Sequence, residues 1–177
     1  MSRIWKALKR RWVMLCVNKV FVGTKHFEKK RKLLMSIGYK IGENTKIVGQ
    51  IECYGKLSIG SNCWIGKNLK VNGNGTVIIG DNCDIAPEVT FQTGGHEIGS
   101  SERRAGEGVI FSQRVGKGTW IGGRVTIMNN TTIGNSCVIA GCSCIIRDVE
   151  DNSLVGGVPA KLIRMLDDDS EDKSIIE

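Results

Sequence analysis

The chain has 177 residues, 41% of them hydrophobic and 24% charged, which suits one globular domain with end pieces. Its formal charge of +7 is unevenly placed: residues 1–40 carry twelve Lys or Arg against one acid, Glu28, and the rest thirteen against seventeen. The most apolar stretch, Trp12 to Val22, is broken by Asn18 and Lys19 and falls far below the ~20 residues of a membrane-spanning helix, so no such helix is expected.

Residues 3–22 read as a helix, with Trp5, Leu8, Trp12 and Leu15 on one face and Lys6, Lys9 and Arg10 opposite. Such a basic arm suits anionic lipid, nucleic acid or an acidic substrate, or it forms a capping helix with a charged face. Nothing in it resembles a nucleic-acid reading module, so no nucleic-acid partner is expected. The Trp residues favour peripheral contact of residues 1–32 with an anionic membrane. The basic start mimics a secretion signal, but no small-residue cleavage site follows; a cytoplasmic protein, at the inner face of the membrane, is the expectation. A second helix, about His26 to Ser36, carries Lys29, Lys30, Arg31 and Lys32 and ends at Gly38.

A six-residue period then takes over. Ile41, Ile47, Cys53, Ile59, Ile65 and Val71 open one run of hexads. Ile79, Ile85 and Phe91 open a second, displaced by two residues at Asn72-Gly73-Asn74-Gly75. Val109 keeps this second phase, and Val115, Ile121, Ile127, Ile133, Ile139 and Ile145 continue it. Neither a lone helix nor a lone strand has this period; a parallel β-helix with three flat sides does. These 16 openers make about five coils at three units each. Four residues after the openers stand mostly small or β-branched side chains, among them Cys63, Cys83, Thr119, Val125, Thr131 and Cys137, as a narrow interior demands. Asn62, Asn82, Asn130 and Asn135 mark corners where left-handed backbone suits Asn. Cys63, Cys83 and Cys137 fall in such slots and Cys53 is an opener, so most of the seven cysteines read as small buried hydrophobes rather than a disulfide framework.

Residues 97–108 leave the coil as an exposed loop with little core of its own. After Val155 the repeat ends in a turn, Gly156-Gly157-Val158-Pro159, and Ala160 to Leu166 reads as a short closing helix. The chain thus divides into a basic helical segment 1–40, a β-helix domain 41–166 and an acidic tail 167–177, expected to be solvated and disordered.

Two histidines are present. His26 lies among basic residues and is given no role; His96 stands where the repeat stops, after two glycines that admit a substrate to the backbone. A neutral imidazole there can serve as a general base near neutral pH. Gly123 and Gly141 each fall two after an opener and are one coil apart, so they stack into a strip without side chains along one edge. With no C-x-x-C pair and no set of three histidines, no metal is expected, which disfavours a carbonic-anhydrase-like member of this coil type.

The stretches Ile79-Gly80-Asp81-Asn82, Ile85-Ala86-Pro87-Glu88-Val89-Thr90, Thr93-Gly94-Gly95-His96, Thr119-Trp120-Ile121-Gly122-Gly123 and Gly156-Gly157-Val158-Pro159-Ala160-Lys161-Leu162-Ile163-Arg164 resemble, in this order, the hexapeptide-repeat acyltransferases, over roughly residues 41–166. The galactoside/maltose and polysaccharide O-acetyltransferase branch resembles it most. The resemblance implies a left-handed β-helix, a homotrimer and direct transfer of acetyl from acetyl-CoA to a sugar hydroxyl, with His96 as base. It implies that Glu97 orients the base, that Trp120, Gly123, Gly141, Arg147, Lys161 and Arg164 contact the acyl donor, and that Asn74 and Asp84 contact the acceptor. Ile146 departs from the pattern, where a hydroxyl residue is common. Acetylation of an amino sugar, acetylation of serine, and a non-catalytic scaffold are the alternatives; the N-terminal segment is smaller than that of serine acetyltransferases.

Overall fold

Aliphatic side chains at every sixth position wind the chain into a three-sided left-handed parallel β-helix, seen in a computed structural model that describes residues 3–167. The acidic tail beyond Asp167 lies outside the described residues. The first face stacks rungs at Ile41, Ile59, Ile79, Val115 and Ile133. The second stacks Ile47, Ile65, Ile85, Ile121, Ile139 and Val155, and the third Cys53, Val71, Phe91, Ile127 and Ile145. Six levels on one face make a solenoid of about six turns, where counting openers suggests about five. Fifteen of the 16 expected openers head a rung; Val109 does not, and Val155 takes the sixteenth place.

Each rung is short because its partners lie in other coils. The amides of Gly42, Gly60, Gly80 and Gly116 donate to the carbonyls of Ile59, Ile79, Val115 and Ile133 at 2.8–2.9 Å. The coils approach so closely that a Cβ on Gly80 or Gly116 would sit 2.8 or 2.5 Å from the next coil's backbone. The opener side chains fill the prism, nearly all of them buried.

One interior corner carries a continuous polar column. Thr45, Cys63, Cys83, Thr119 and Cys137 form a column, each donating its hydroxyl or thiol hydrogen to a carbonyl of the next coil: Gly60, Gly80, Gly116, Gly134 and Glu150. The cysteines expected to be plain hydrophobes therefore also satisfy carbonyls that the corner turns inward. All seven cysteines are unpaired.

At the outer corners Asn62 and Asn82 are left-handed as expected, with φ of 57°. Asn130 and Asn135 are not; the left-handed residues are their neighbours Asn129 and Ser136. Asn130 and Asn135 instead accept the amides of Ser112 and Lys117 on their Oδ1 atoms, at 2.8 and 3.0 Å, tying one coil to the next.

Two insertions shift the register. Ile59 pairs with Ile79, 20 residues on, because the corner 72–75 holds two extra residues. Ile79 pairs with Val115 and Phe91 with Ile127, 36 residues on, because a whole coil's worth of chain leaves the prism between them. The excursion length is a multiple of six, so Val109 keeps the hexad phase while lying outside the coil.

The N-terminal end of the prism is capped by helices. α1 (Arg3–Leu15) runs into a π-helical turn, Cys16–Val20, and α2 spans Phe27–Met35. Val13, Val17, Leu34 and Tyr39 join the core and seal the first coil. α1 docks by its charged side: Arg10 donates to Cys53 O at 2.9 Å and lies over the Tyr39 ring, and Lys9 Nζ donates to Ser36 O. Lys30 is not part of the solvated basic surface. It is fully buried, donates to Gly23 O and Val48 O at 2.6 and 3.0 Å, and burial pushes its amine pKa down. No helix among the described residues is long and apolar enough to cross a membrane.

At the other end the expected helix is absent. Ala160–Met165 is a strand, antiparallel to Ser153–Gly157 after the turn at Gly157–Pro159. The last parallel rung presents a row of unpaired backbone groups, and folding the chain back on them satisfies that edge. Removing one hydroxyl from the interior column tests its energetic role. Thr119→Val strands the Gly134 carbonyl and the Cys137 amide, and urea unfolding should show a loss of about 1–3 kcal/mol at unchanged secondary structure.

Candidate active site

The excursion from the coil is an antiparallel hairpin, Gly94–Ile98 with Ala105–Ile110, in place of the expected irregular loop over 97–108. Its root is stitched into the prism. Thr93 is fully buried; its hydroxyl donates to Asn72 O at 2.9 Å and accepts the Gly75 amide, and its carbonyl accepts the Phe111 amide. Gln113, also buried, points its Nε2 at the carbonyls of Gln92, Ile127 and Asn129, all within 3.1 Å. Three carbonyls around one nitrogen fix the orientation of that amide, because carbonyls only accept. The hairpin therefore emerges from a rigid base.

His96 sits on the first strand opposite Gly108. Just beyond it the register shifts: Ile98 pairs with Ala105, so the second strand carries an extra residue opposite Glu97. This bulge turns the Gly106 carbonyl toward the ring, and His96 Nδ1 lies 2.9 Å from Gly106 O. A carbonyl cannot donate, so Nδ1 carries the hydrogen in this contact and Nε2 is left with its lone pair. Bulges commonly re-aim a side chain beside a working site. The orienting group is thus a backbone carbonyl; the exposed Glu97 side chain makes no hydrogen bond to the imidazole. Gly106 escaped the sequence reading, and its only signal there is a glycine inside a charged stretch. Of the two glycines before His96, Gly95 does a different job from that expected. A Cβ on it would meet the Phe111 ring at 2.9 Å, so that space is filled by the protein itself, whereas a Cβ on Gly94 would meet only Gly73 at 3.4 Å, an ordinary contact.

The remaining candidates fall into groups. Asn74 is exposed at the two-residue corner whose Gly73 abuts Gly94, beside the hairpin root. Asp84 and Trp120 are register partners on the outer side of the second face, with Trp64 beyond Asp84. Gly123 and Gly141 do stack: the Cys142 amide donates to Gly123 O at 2.8 Å. Arg147 and Lys161 line one cavity of about 240 Å³ at the C-terminal end of the prism, whereas Arg164 lies farther along the last strand, opposite Leu154. Ile146 also lines that cavity.

The glycine strip differs from the other corner glycines in one respect. Gly122 is required by packing, since a Cβ there would lie 2.6 Å from the Gly141 amide. A Cβ on Gly123 would meet nothing nearer than Pro87 O at 3.5 Å, an ordinary contact. The coil itself therefore does not need glycine at 123. The residues that follow the strip, Glu88, Arg124 and Cys142, all hold positive φ, and Arg124 pairs with Glu88 at 3.0 Å. Backbone of this kind in residues other than Gly or Asn tends to gather at functional edges. The strip runs between the second and third faces, while the hairpin leaves between the third and the first.

No protein-family model matches the chain. The galactoside O-acetyltransferase of Escherichia coli (strain K12) is 35% identical over 147 residues, which cover 80% of this chain and 70% of that one. A galactoside acetyltransferase solved in complex with coenzyme A superimposes with a TM-score of 0.78 at 30% identity, covering 95% of this chain and 85% of that chain. A hexapeptide-repeat acetyltransferase from Vibrio cholerae O1 biovar eltor, solved with acetyl-coenzyme A, has a TM-score of 0.78 at 28% identity over 94% and 91% of the two chains. With the coil, its hexad phase and these likenesses in agreement, the chain is an enzyme of the hexapeptide-repeat acetyltransferase family.

Proposed function

We propose that this enzyme transfers an acetyl group from acetyl-CoA to a hydroxyl of a sugar, either a polysaccharide or a saccharide precursor, with His96 as general base. The observation that carries the reading is the 2.9 Å contact between His96 Nδ1 and Gly106 O, which leaves Nε2 free to accept a proton. A sugar hydroxyl is too weakly acidic to attack a thioester unaided. Nε2 takes its proton as the oxygen bonds to the acetyl carbonyl carbon; the tetrahedral adduct then expels the CoA thiolate, which recovers the proton from the imidazolium. Asn74 and Asp84 are the proposed acceptor contacts. Trp120 lines the pocket, and Arg147, Lys161 and Arg164 hold the phosphates of the donor as cations.

The glycine strip supports an extended pantetheine arm lying on backbone, because packing alone does not explain Gly123. The hairpin and the strip stand on different edges of one prism, so a complete site draws them from two copies. This supports a homotrimer, in which each base faces a neighbour's strip across a threefold-related groove. The exposure of Ile98 and Ile110, 89% and 66%, on a two-stranded hairpin with little core of its own supports the same arrangement. The named likeness to a galactoside O-acetyltransferase favours a sugar acceptor over serine.

Two measurements test the reading. His96→Ala should lower kcat by about 10²–10⁴-fold with an unchanged circular-dichroism spectrum; wild-type turnover in that variant excludes His96 as the base. Gly123→Ala should fold normally yet raise KM for acetyl-CoA by about tenfold, the effect of a misfit of about 1.4 kcal/mol, whereas an unaltered KM removes the strip from the donor site.

A further inference from the structure

The outer side of α1 is unlike the rest of the surface. Ile4, Trp5, Leu8, Trp12 and Leu15 line one stripe of the helix and are 71%, 66%, 53%, 58% and 56% exposed. An amphipathic helix normally buries such a stripe against its own core. Here the opposite side is docked and cannot be released cheaply. Val13 and Val17 are fully buried, Arg10 is held by Cys53 O and Tyr39, and Asn18 exchanges two hydrogen bonds with the Ile51 backbone at 2.8 and 2.9 Å. The apolar stripe is therefore locked outward.

Charge decides what covers it. α1 contains no acid, and Glu28, the one acid of residues 1–40, is engaged by Arg31 and Lys32. Arg3, Lys6 and Arg11 are exposed on the helix, and Lys40 and Lys56 line a groove of about 430 Å³ between α1 and the first face. Packing the stripe of one copy on that of another would bring together two basic helices that hold no acid, with Arg11 beside the stripe and no acid of the segment to offset it. An anionic surface with an apolar interior satisfies both features at once. Two Trp rings in the stripe suit the headgroup level, where one ring edge is wet and the other apolar. At 13 residues, α1 is about 20 Å long and lies along such a surface rather than through it.

We infer that α1 is an in-plane anchor that binds the enzyme to an anionic lipid bilayer through Ile4, Trp5, Leu8, Trp12 and Leu15, with the flanking cations on lipid phosphates. This goes beyond acetyl transfer, and its test uses no acyl donor, so either idea can fail without the other. The full chain is sedimented with vesicles of phosphatidylcholine and phosphatidylglycerol in equal parts, and with phosphatidylcholine alone, at about 0.15 M salt. Binding to the mixed vesicles should be about tenfold or more tighter than to phosphatidylcholine. Leu8→Glu with Trp12→Glu should abolish it while the light-scattering mass and the melting curve stay as in wild type; Leu8→Ser with Trp12→Ser serves should the acidic pair misfold. Failure of the wild type to sediment with the mixed vesicles overturns the inference, as does undiminished binding by the folded variant. A fall in the variant's mass also overturns it, because the stripe is then a contact between copies.

Discussion

Everything in this molecule depends on one coil lying directly on the next. Each rung has only two to five residues, so the backbone of the prism is satisfied only when residue i meets its counterpart one coil away. The ladder from Gly42 through Gly116 to the carbonyls of Ile59 through Ile133 is that condition in atoms. It forbids a Cβ at Gly80 and Gly116, fills the interior mostly with aliphatic and small residues, and lines one corner with a column of hydroxyl or thiol donors that meet inward-facing carbonyls. A prism built this way is stiff along its axis, and stiffness at the root is what a projecting two-stranded hairpin lacks by itself.

The candidate site follows from interrupting the stack without breaking it. A whole coil of chain is diverted at Thr93, and Gln113 ties the carbonyls on either side of the breach. The hairpin thereby inherits the order of the prism. Its bulge then turns a single carbonyl, that of Gly106, onto the imidazole. The chemistry proposed for His96 is modest in kind but strict in geometry, since one ring nitrogen must be occupied for the other to be free.

Much of this was legible in the residues. The period of six survives in the sequence because stacking constrains every coil alike, so fifteen openers could be placed on the correct rungs. The adjacency of Gly123 and Gly141 follows from the same period. Val109 misled because the excursion happens to span a multiple of six, which leaves the phase intact outside the coil. The hairpin's pairing and the role of Gly106 were hidden, because a bulge depends on which strand carries the extra residue and composition does not record that. The terminal strand at Ala160–Met165 was hidden for a different reason: its apolar pattern also suits a short helix, and only the open edge of the last rung selects pairing. The orientation of α1 was beyond reach as well. An amphipathic pattern states that two faces differ, and here the face that docks is the charged one, held by Arg10 and Asn18.

The central claim is that the fold holds His96 as one tautomer, hydrogen on Nδ1 and lone pair on Nε2. Nitrogen-15 NMR of the histidine-labelled full chain, with His96 assigned by comparison with His96→Ala, measures this directly. Measured at a pH where the ring is neutral, the hydrogen should sit on Nδ1. A ring protonated at Nε2 instead would contradict it, because that nitrogen could then accept no proton from a hydroxyl.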